Sequence, residues 1–137
     1  MKKLIILLLI LSVSIGCNSS KETSNKNKTE TVMLSGKYTI ATMSNKDVAS
    51  KAMTLTFDTE TNGVSGKATC NSFFGSYSQT GNELDFSRLG STKMYCDDMS
   101  HEIDLFDALK KTTSFVINDT EVSLLNNDEA LLTLIKQ

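Results

Sequence analysis

Residues 53–68 read MTLTFDTETNGVSGKA. Met53, Leu55 and Phe57 alternate with Thr54, Thr56 and Asp58. A period of two sends one set to a buried face and the other toward solvent, which is the pattern of a half-buried β-strand. Asn62-Gly63 follows, a pair suited to the positive φ of a tight hairpin turn. Val64, Gly66, Ala68 and Cys70 then share one face of the next strand. Their small side chains imply a sharp bend, or another element pressed close against the strand. A chain built this way folds by pairing short antiparallel strands.

The same grammar recurs along the chain. Residues 35–42 predict a first strand with Tyr38 and Ile40 on one face, and the polar stretch 45–50 predicts a loop. Residues 73–78 and 83–87 predict a hairpin around Gln79-Thr80-Gly81-Asn82, with Leu84 and Phe86 pointing inward. Residues 88–95 read as a less regular strand anchored by Leu89 and Met94. Three closing strands are expected at 113–117, 121–125 and 130–135, with turns at Asn118-Asp119-Thr120 and Asn126-Asn127-Asp128. One segment breaks the period. Met99, Ile103, Phe106 and Leu109 recur at helical spacing, and Leu105 and Ala108 widen the stripe. Asp97, Asp98 and Glu102 at its start and Lys110 and Lys111 at its end suit the helix dipole. The fold class is therefore α+β, mostly β: a curled antiparallel sheet, or an open barrel-like sheet, packed around a single helix. Phe57, Phe86, Phe106 and Leu124 are expected to fill its interior.

The N-terminus follows different rules. Lys2 and Lys3 precede an apolar run at 4–13, too short for a stable bilayer span and of the length of a secretory signal. Ser14-Ile15-Gly16-Cys17 then resembles a lipobox, with Ser14 where leucine is usual. Residues 1–17 are read as a lipoprotein signal peptide, with Cys17 the site of lipidation. The alternative is an ordinary signal peptide cut nearby. Residues 18–34 are almost wholly polar and too poor in apolar side chains for an ordered core, so they are expected to form a flexible tether. A coil of that length spans about 22 Å. Stable anchoring requires more than one acyl chain such as palmitate. The expected location is a bacterial cell envelope, with the membrane and leaflet left open.

Residues 35–137 are of ordinary domain size and expected to be monomeric. The net charge is −2, and loss of residues 1–17 removes two lysines and no acid, giving −4. That balance lacks the basic patch that nucleic acid demands, so nucleic acid is excluded as a partner. With Cys17 set aside, Cys70 and Cys96 remain. In an exported domain an even pair fits a disulfide, which closes a loop of about 25 residues and contributes about 3.5 kcal/mol in the chain-entropy model. Two buried free thiols are the alternative.

Gly66, Cys70, Asn71, Phe74, Gly75 and Tyr77, followed by Ser91, Thr92, Met94 and Cys96, resemble the motif of the META/HslJ family of small bacterial envelope proteins. Glu102, Phe106 and Leu109 match the helix pattern that follows it. The resemblance covers most of residues 35–136. Thr69 stands where the family usually has glycine, and Tyr38 where it often has tryptophan. The resemblance implies a compact β-rich domain around a helix and an association with envelope stress. It implies no chemistry.

The residues themselves offer little for catalysis. Cys70 as a nucleophile needs a base, and His101, the only histidine, lies off the apolar stripe. One histidine and two separated cysteines make no zinc pattern. Asp97, Asp98 and Glu102, or the turn at 126–129, could at most hold calcium weakly, and read first as helix-start charge and turn chemistry. No catalytic residue, metal ligand or cofactor is assigned. The expected function is a membrane-tethered, non-enzymatic module, an interaction or stress-related accessory with an envelope protein partner. The alternative is a carrier or pilot domain holding an apolar ligand or a peptide.

Overall fold

The computed structural model describes residues 32–137. Within them the chain forms β1 (Gly36–Met43), β2 (Lys46–Asp47), a 3-10 turn (Ala49–Lys51), β3 (Thr54–Asp58), β4 (Gly63–Lys67), β5 (Ser72–Thr80) and β6 (Glu83–Ser91). It continues through α1 (Ser100–Lys111), β7 (Ser114–Asn118), β8 (Glu121–Asn126) and β9 (Glu129–Lys136). The nine strands make one antiparallel sheet in the order β2-β1-β3-β4-β5-β6-β7-β8-β9, and β1 also pairs with β9. That second pairing curls the sheet into a ring. The seam between β6 and β7 is held by the single pair Glu83↔Ser114, so the ring is not an evenly hydrogen-bonded barrel. The expected curled, mostly β architecture with one helix is the fold observed.

The alternation read from the sequence sets the core. Met53, Leu55 and Phe57 are buried, and β3 pairs with β1 on one side and β4 on the other. Phe57 sits at the centre of an aromatic cluster, edge-on to Tyr38 at 5.8 Å and to Tyr77 at 5.1 Å, with Phe86 at 6.0 Å. Such contacts add to the area term that dominates core energetics. Asn62, Asp119 and Asn127 take positive φ of 52°, 55° and 53° at hairpin turns, where short amide and carboxyl side chains tolerate the left-handed region. The helix buries Leu105, Ala108 and Leu109 and packs against β6 and β1.

Four expectations are revised. Leu34, placed at the end of the tether, is fully buried, and its N–H donates to Gln79 Oε1 at 3.0 Å. The Tyr77 hydroxyl donates to the Leu34 carbonyl at 3.4 Å, so the packed domain begins before residue 35 because an apolar side chain there joins the core. The stretch 45–50 holds β2 and the start of the 3-10 turn. β6 runs to Ser91, and Met94 anchors nothing with its side chain, which is 57 % exposed. On the helix, Ile103 is 64 % exposed while Glu102 is 4 % exposed, so the buried stripe is rotated from the one hydropathy predicts. The signal peptide, Cys17 and residues 18–31 of the tether lie outside the described residues.

Candidate functional site

The candidate site is the corner between β4 and β5. Gly66 prepares it. A Cβ there would run into the Thr54 carbonyl oxygen and the Phe73 ring, so glycine lets Phe73 lie across β4. Phe73 in turn meets Phe106 of α1 edge-on at 5.7 Å. Past Lys67 the chain turns, and Ala68 N–H donates to the Asn71 carbonyl at 2.8 Å.

Asn71 is 1 % exposed and is the hub of the corner. Its Oδ1 accepts from the Thr92 hydroxyl at 2.7 Å and from Met94 N–H at 2.8 Å. Its Nδ2 donates to Glu102 Oε1 at 2.9 Å and to the Met94 carbonyl at 3.4 Å. Its backbone N–H donates to Glu102 Oε2 at 3.0 Å. Every donor and acceptor of the amide is therefore engaged, as burial demands. A carboxylate buried beside it is tolerable because both of its oxygens accept. Ser72 and Thr92 close the flank: Ser72 N–H donates to Thr92 Oγ1 at 3.2 Å, and Thr92 N–H to the Ser72 carbonyl at 3.0 Å. A disulfide joins Cys70 to Cys96, with Cα atoms 6.4 Å apart, inside the ordinary range. At Thr69 the side-chain hydroxyl is buried without a hydrogen-bond partner among the described residues.

The corner thus gathers Gly66, Cys70, Asn71, Thr92, Met94 and Cys96 of the sequence motif. Met94 contributes through its backbone. Phe74, Gly75 and Tyr77 lie apart from it. Phe74 is exposed on the outer face, where a Cβ on its neighbour Gly90 would touch its ring at 3.3 Å. Gly75 sits at the β5–β6 bulge, where a Cβ would meet Leu89 at 2.8 Å and the Ser87 carbonyl at 2.9 Å. Tyr77 is in the aromatic core. His101 sits beside Ser100 and 3.9 Å from Asp98, and is only partly exposed. Hydrogen bonds from the Ser100 hydroxyl and N–H hold the Asp98 carboxyl below the usual carboxylate range. Glu102 turns inward and is not shared with Asp97 and Asp98. No group of three or more His, Cys, Asp or Glu gathers as a metal site among the described residues.

Glu102 does lie in the first turn of α1, as expected, but sequence reasoning missed that its carboxyl is buried against Asn71. Its spacing carried the signal: it stands three and seven positions before Leu105 and Leu109, on the stripe those two define.

A family model described as META domain matches residues 30–137. The chain belongs to the META domain family. Its fold is similar to an NMR structure of a protein from Burkholderia xenovorans. That pair is 23 % identical with a TM-score of 0.59, over 74 % of this chain and 81 % of the other. It is also similar to the crystal structure of a DUF4847 family protein from Bacteroides vulgatus. There the identity is 10 % and the TM-score 0.57, over 77 % of this chain and 95 % of the other. At these identities the likeness shows the fold alone. No curated protein matches the chain. In this META domain, the motif corner is where a loop, a helix start and two strands are tied to one asparagine.

Proposed function

We propose that the protein is a membrane-tethered, non-enzymatic lipoprotein of a bacterial envelope, whose META domain acts as an interaction or stress-related accessory module. The observation that carries the reading is the use the corner makes of its polar groups. Cys70, the nucleophile weighed from the sequence, is bonded to Cys96, and Asn71 and Glu102 satisfy one another in a buried site. Those groups hold the fold together, which supports a domain that works through its surface. Lys2, Lys3, the apolar run at 4–13 and Cys17 support the tether. The test is mass spectrometry of the mature N-terminal peptide from membranes, with in-cell crosslinking to identify partners. A diacylglyceryl adduct on Cys17, loss of membrane association in Cys17→Ser, and a discrete crosslinked envelope protein are expected. An unmodified N-terminus, or lipid co-purifying with the domain and no protein partner, would refute the reading.

A second reading, a carrier or pilot domain, is favoured by one cleft. It lies between α1 and the β1–β2 hairpin, has a volume of ≈ 440 Å³, and is floored by Met43, Val48, Ala108 and Leu131. That is within the range of small-ligand sites, roughly 300–1,000 Å³. Co-purification of an apolar molecule, lost on Ala108→Trp, is the outcome that would favour it over the first reading.

A further inference from the structure

The sheet register puts Phe74, a motif residue left outside the corner, on a surface that has a cleft at its other end. Residues paired directly across an antiparallel ladder project to the same face, and so do alternate residues along one strand. Phe73 and Tyr77 of β5 and Leu84 and Phe86 of β6 are buried, so Phe74, Ser76, Ser78 and Thr80 point outward. The pairs Ser76↔Ser87, Ser78↔Asp85 and Thr80↔Glu83 add three side chains of β6 to that face, and Phe74↔Gly90 adds a bare glycine. Glu83↔Ser114 carries the face across the seam to β7.

Two features stand on it. At one end, a Cβ on Gly90 would lie 3.3 Å from both Cε2 and Cζ of Phe74, the far edge of the ring. The ring therefore lies across β6 and does not stand off the sheet. Covering the glycine uses one side of the ring, and the residue stays 60 % exposed. At the other end is an open cleft of ≈ 490 Å³, lined by Ser78, Thr80, Glu83 and Asp85 of the hairpin and by Ser114 and Asn127 across the seam. Among the described residues no lysine or arginine lines it, and neither carboxylate is in an ion pair. Ser76 and Ser87 bridge the space between ring and cleft. Phe74 and Ser78 are four positions apart in β5, a separation of about 14 Å.

An aromatic face followed by a track of hydroxyls and carboxylates suits a sugar chain. A sugar ring carries C–H groups on its faces, which the negative face of an aromatic ring attracts, and hydroxyls around its rim. Those hydroxyls donate to carboxylates in charge-assisted hydrogen bonds and exchange bonds with serine and threonine. A stable protein interface centres on a cluster of apolar or aromatic anchors. Phe74 is the one large apolar side chain exposed on this hairpin face. Two carboxylates without a lining cation disfavour an anionic chain. We propose that the outer face of the β5–β6 hairpin binds an uncharged glycan strand, with one sugar on Phe74 and another in the cleft. The site goes beyond the accessory-module reading and stands without a protein partner.

The full chain, held in zwitterionic lipid nanodiscs, is titrated calorimetrically with β-linked dimers and tetramers of glucose and of N-acetylglucosamine. A galacturonate tetramer and a peptide alternating Lys and Leu serve as the anionic and cationic comparisons. The expected result is saturable binding of a neutral tetramer, at least about ten-fold tighter than its dimer, because only the longer chain reaches from Phe74 to the cleft. Phe74→Ala and Asp85→Ala are each expected to bring the tetramer close to the affinity of the dimer. Both side chains are exposed, so the far-ultraviolet circular dichroism spectrum is expected to stay unchanged. Phe74→Tyr keeps the ring and is expected to retain binding, which separates loss of the platform from loss of the fold. The proposal is overturned if neither neutral tetramer binds saturably, or if dimers bind as tightly as tetramers. It is also overturned if the galacturonate tetramer or the peptide binds as tightly as the neutral sugars, or if Phe74→Ala leaves tetramer binding unchanged. Failure of these titrations leaves the tethered module standing, and an unmodified Cys17 or a missing protein partner leaves this site standing.

Discussion

Asn71→Ala tests the hub most directly. The substitution removes the bond from Nδ2 to the Glu102 carboxylate and the one to the Met94 carbonyl. It also leaves the Thr92 hydroxyl and Met94 N–H without their acceptor. A hydrogen bond to a charged group contributes about 1.5–3 kcal/mol and a neutral one about 1 kcal/mol. The four belong to one network and do not add, and the Thr92 side is near enough to solvent for water to replace part of the loss. The expected destabilisation is about 3–4 kcal/mol, which lowers the melting temperature of a domain this size by roughly 15–25 °C. Asn71→Asp keeps the shape but replaces the donor facing Glu102 Oε1 with an oxygen, and is expected to cost at least as much. Urea denaturation followed by circular dichroism measures both. A double-mutant cycle of Asn71→Ala with Glu102→Ala is expected to return a coupling of about 2 kcal/mol. A cost under about 1 kcal/mol for both Asn71 variants would refute the reasoning. The corner would then be reserved for a ligand and would not be holding the fold.

Four other outcomes follow from the same structure. Reduction of the Cys70–Cys96 disulfide, or its replacement by two serines, is expected to lower stability by about 3.5 kcal/mol, and two alkylatable thiols in protein from an oxidising compartment would contradict the pairing. On the helix, Leu105→Ala is expected to cost about 2–5 kcal/mol and Ile103→Ser less than about 0.5 kcal/mol, the reverse of what hydropathy would rank; equal costs in denaturant melts would mean α1 is rotated from the position described. Thr69→Val removes a buried hydroxyl without a partner and is expected to stabilise the domain by about 1 kcal/mol, whereas a loss of stability would show that the hydroxyl is bonded. Burial raises the Tyr38 and Tyr77 phenols above the ordinary tyrosine range, and the nearby Asp58 charge adds to the rise at Tyr77. The folded state then keeps protons that the unfolded chain releases from about pH 10 upward, so this stability is present below pH 10 and is lost as pH climbs through the folded values. Denaturation midpoints that stay flat above pH 10 would contradict it.

How far the sequence reached depended on whether a feature was local. Leu55 and Phe57 declared their strand because alternation is a property of adjacent residues, and Asn62-Gly63 declared its turn for the same reason. The helix was legible too, but its rotation was not. Periodicity assigned Ile103 to the core and left Glu102 at the surface because hydropathy ranks side chains one at a time. What reverses the ranking is Asn71, 31 residues earlier, whose amide and backbone N–H make burial of a carboxylate tolerable. Met94 shows the same limit. It was read as a core anchor because it is apolar, yet the fold uses its N–H and carbonyl and leaves its side chain outside. An apolar contact in place of Asn71 could hold the loop near the corner, but it would tolerate small slips of residues 92–96 along β5. Hydrogen bonds at 2.7–2.9 Å to specific atoms of Thr92, Met94 and Glu102 fix one register. That register fixes the Met94 backbone at the corner while the Met94 and Tyr95 side chains stay exposed, so the buried polar hub and the outward side chains of this loop are two consequences of one constraint.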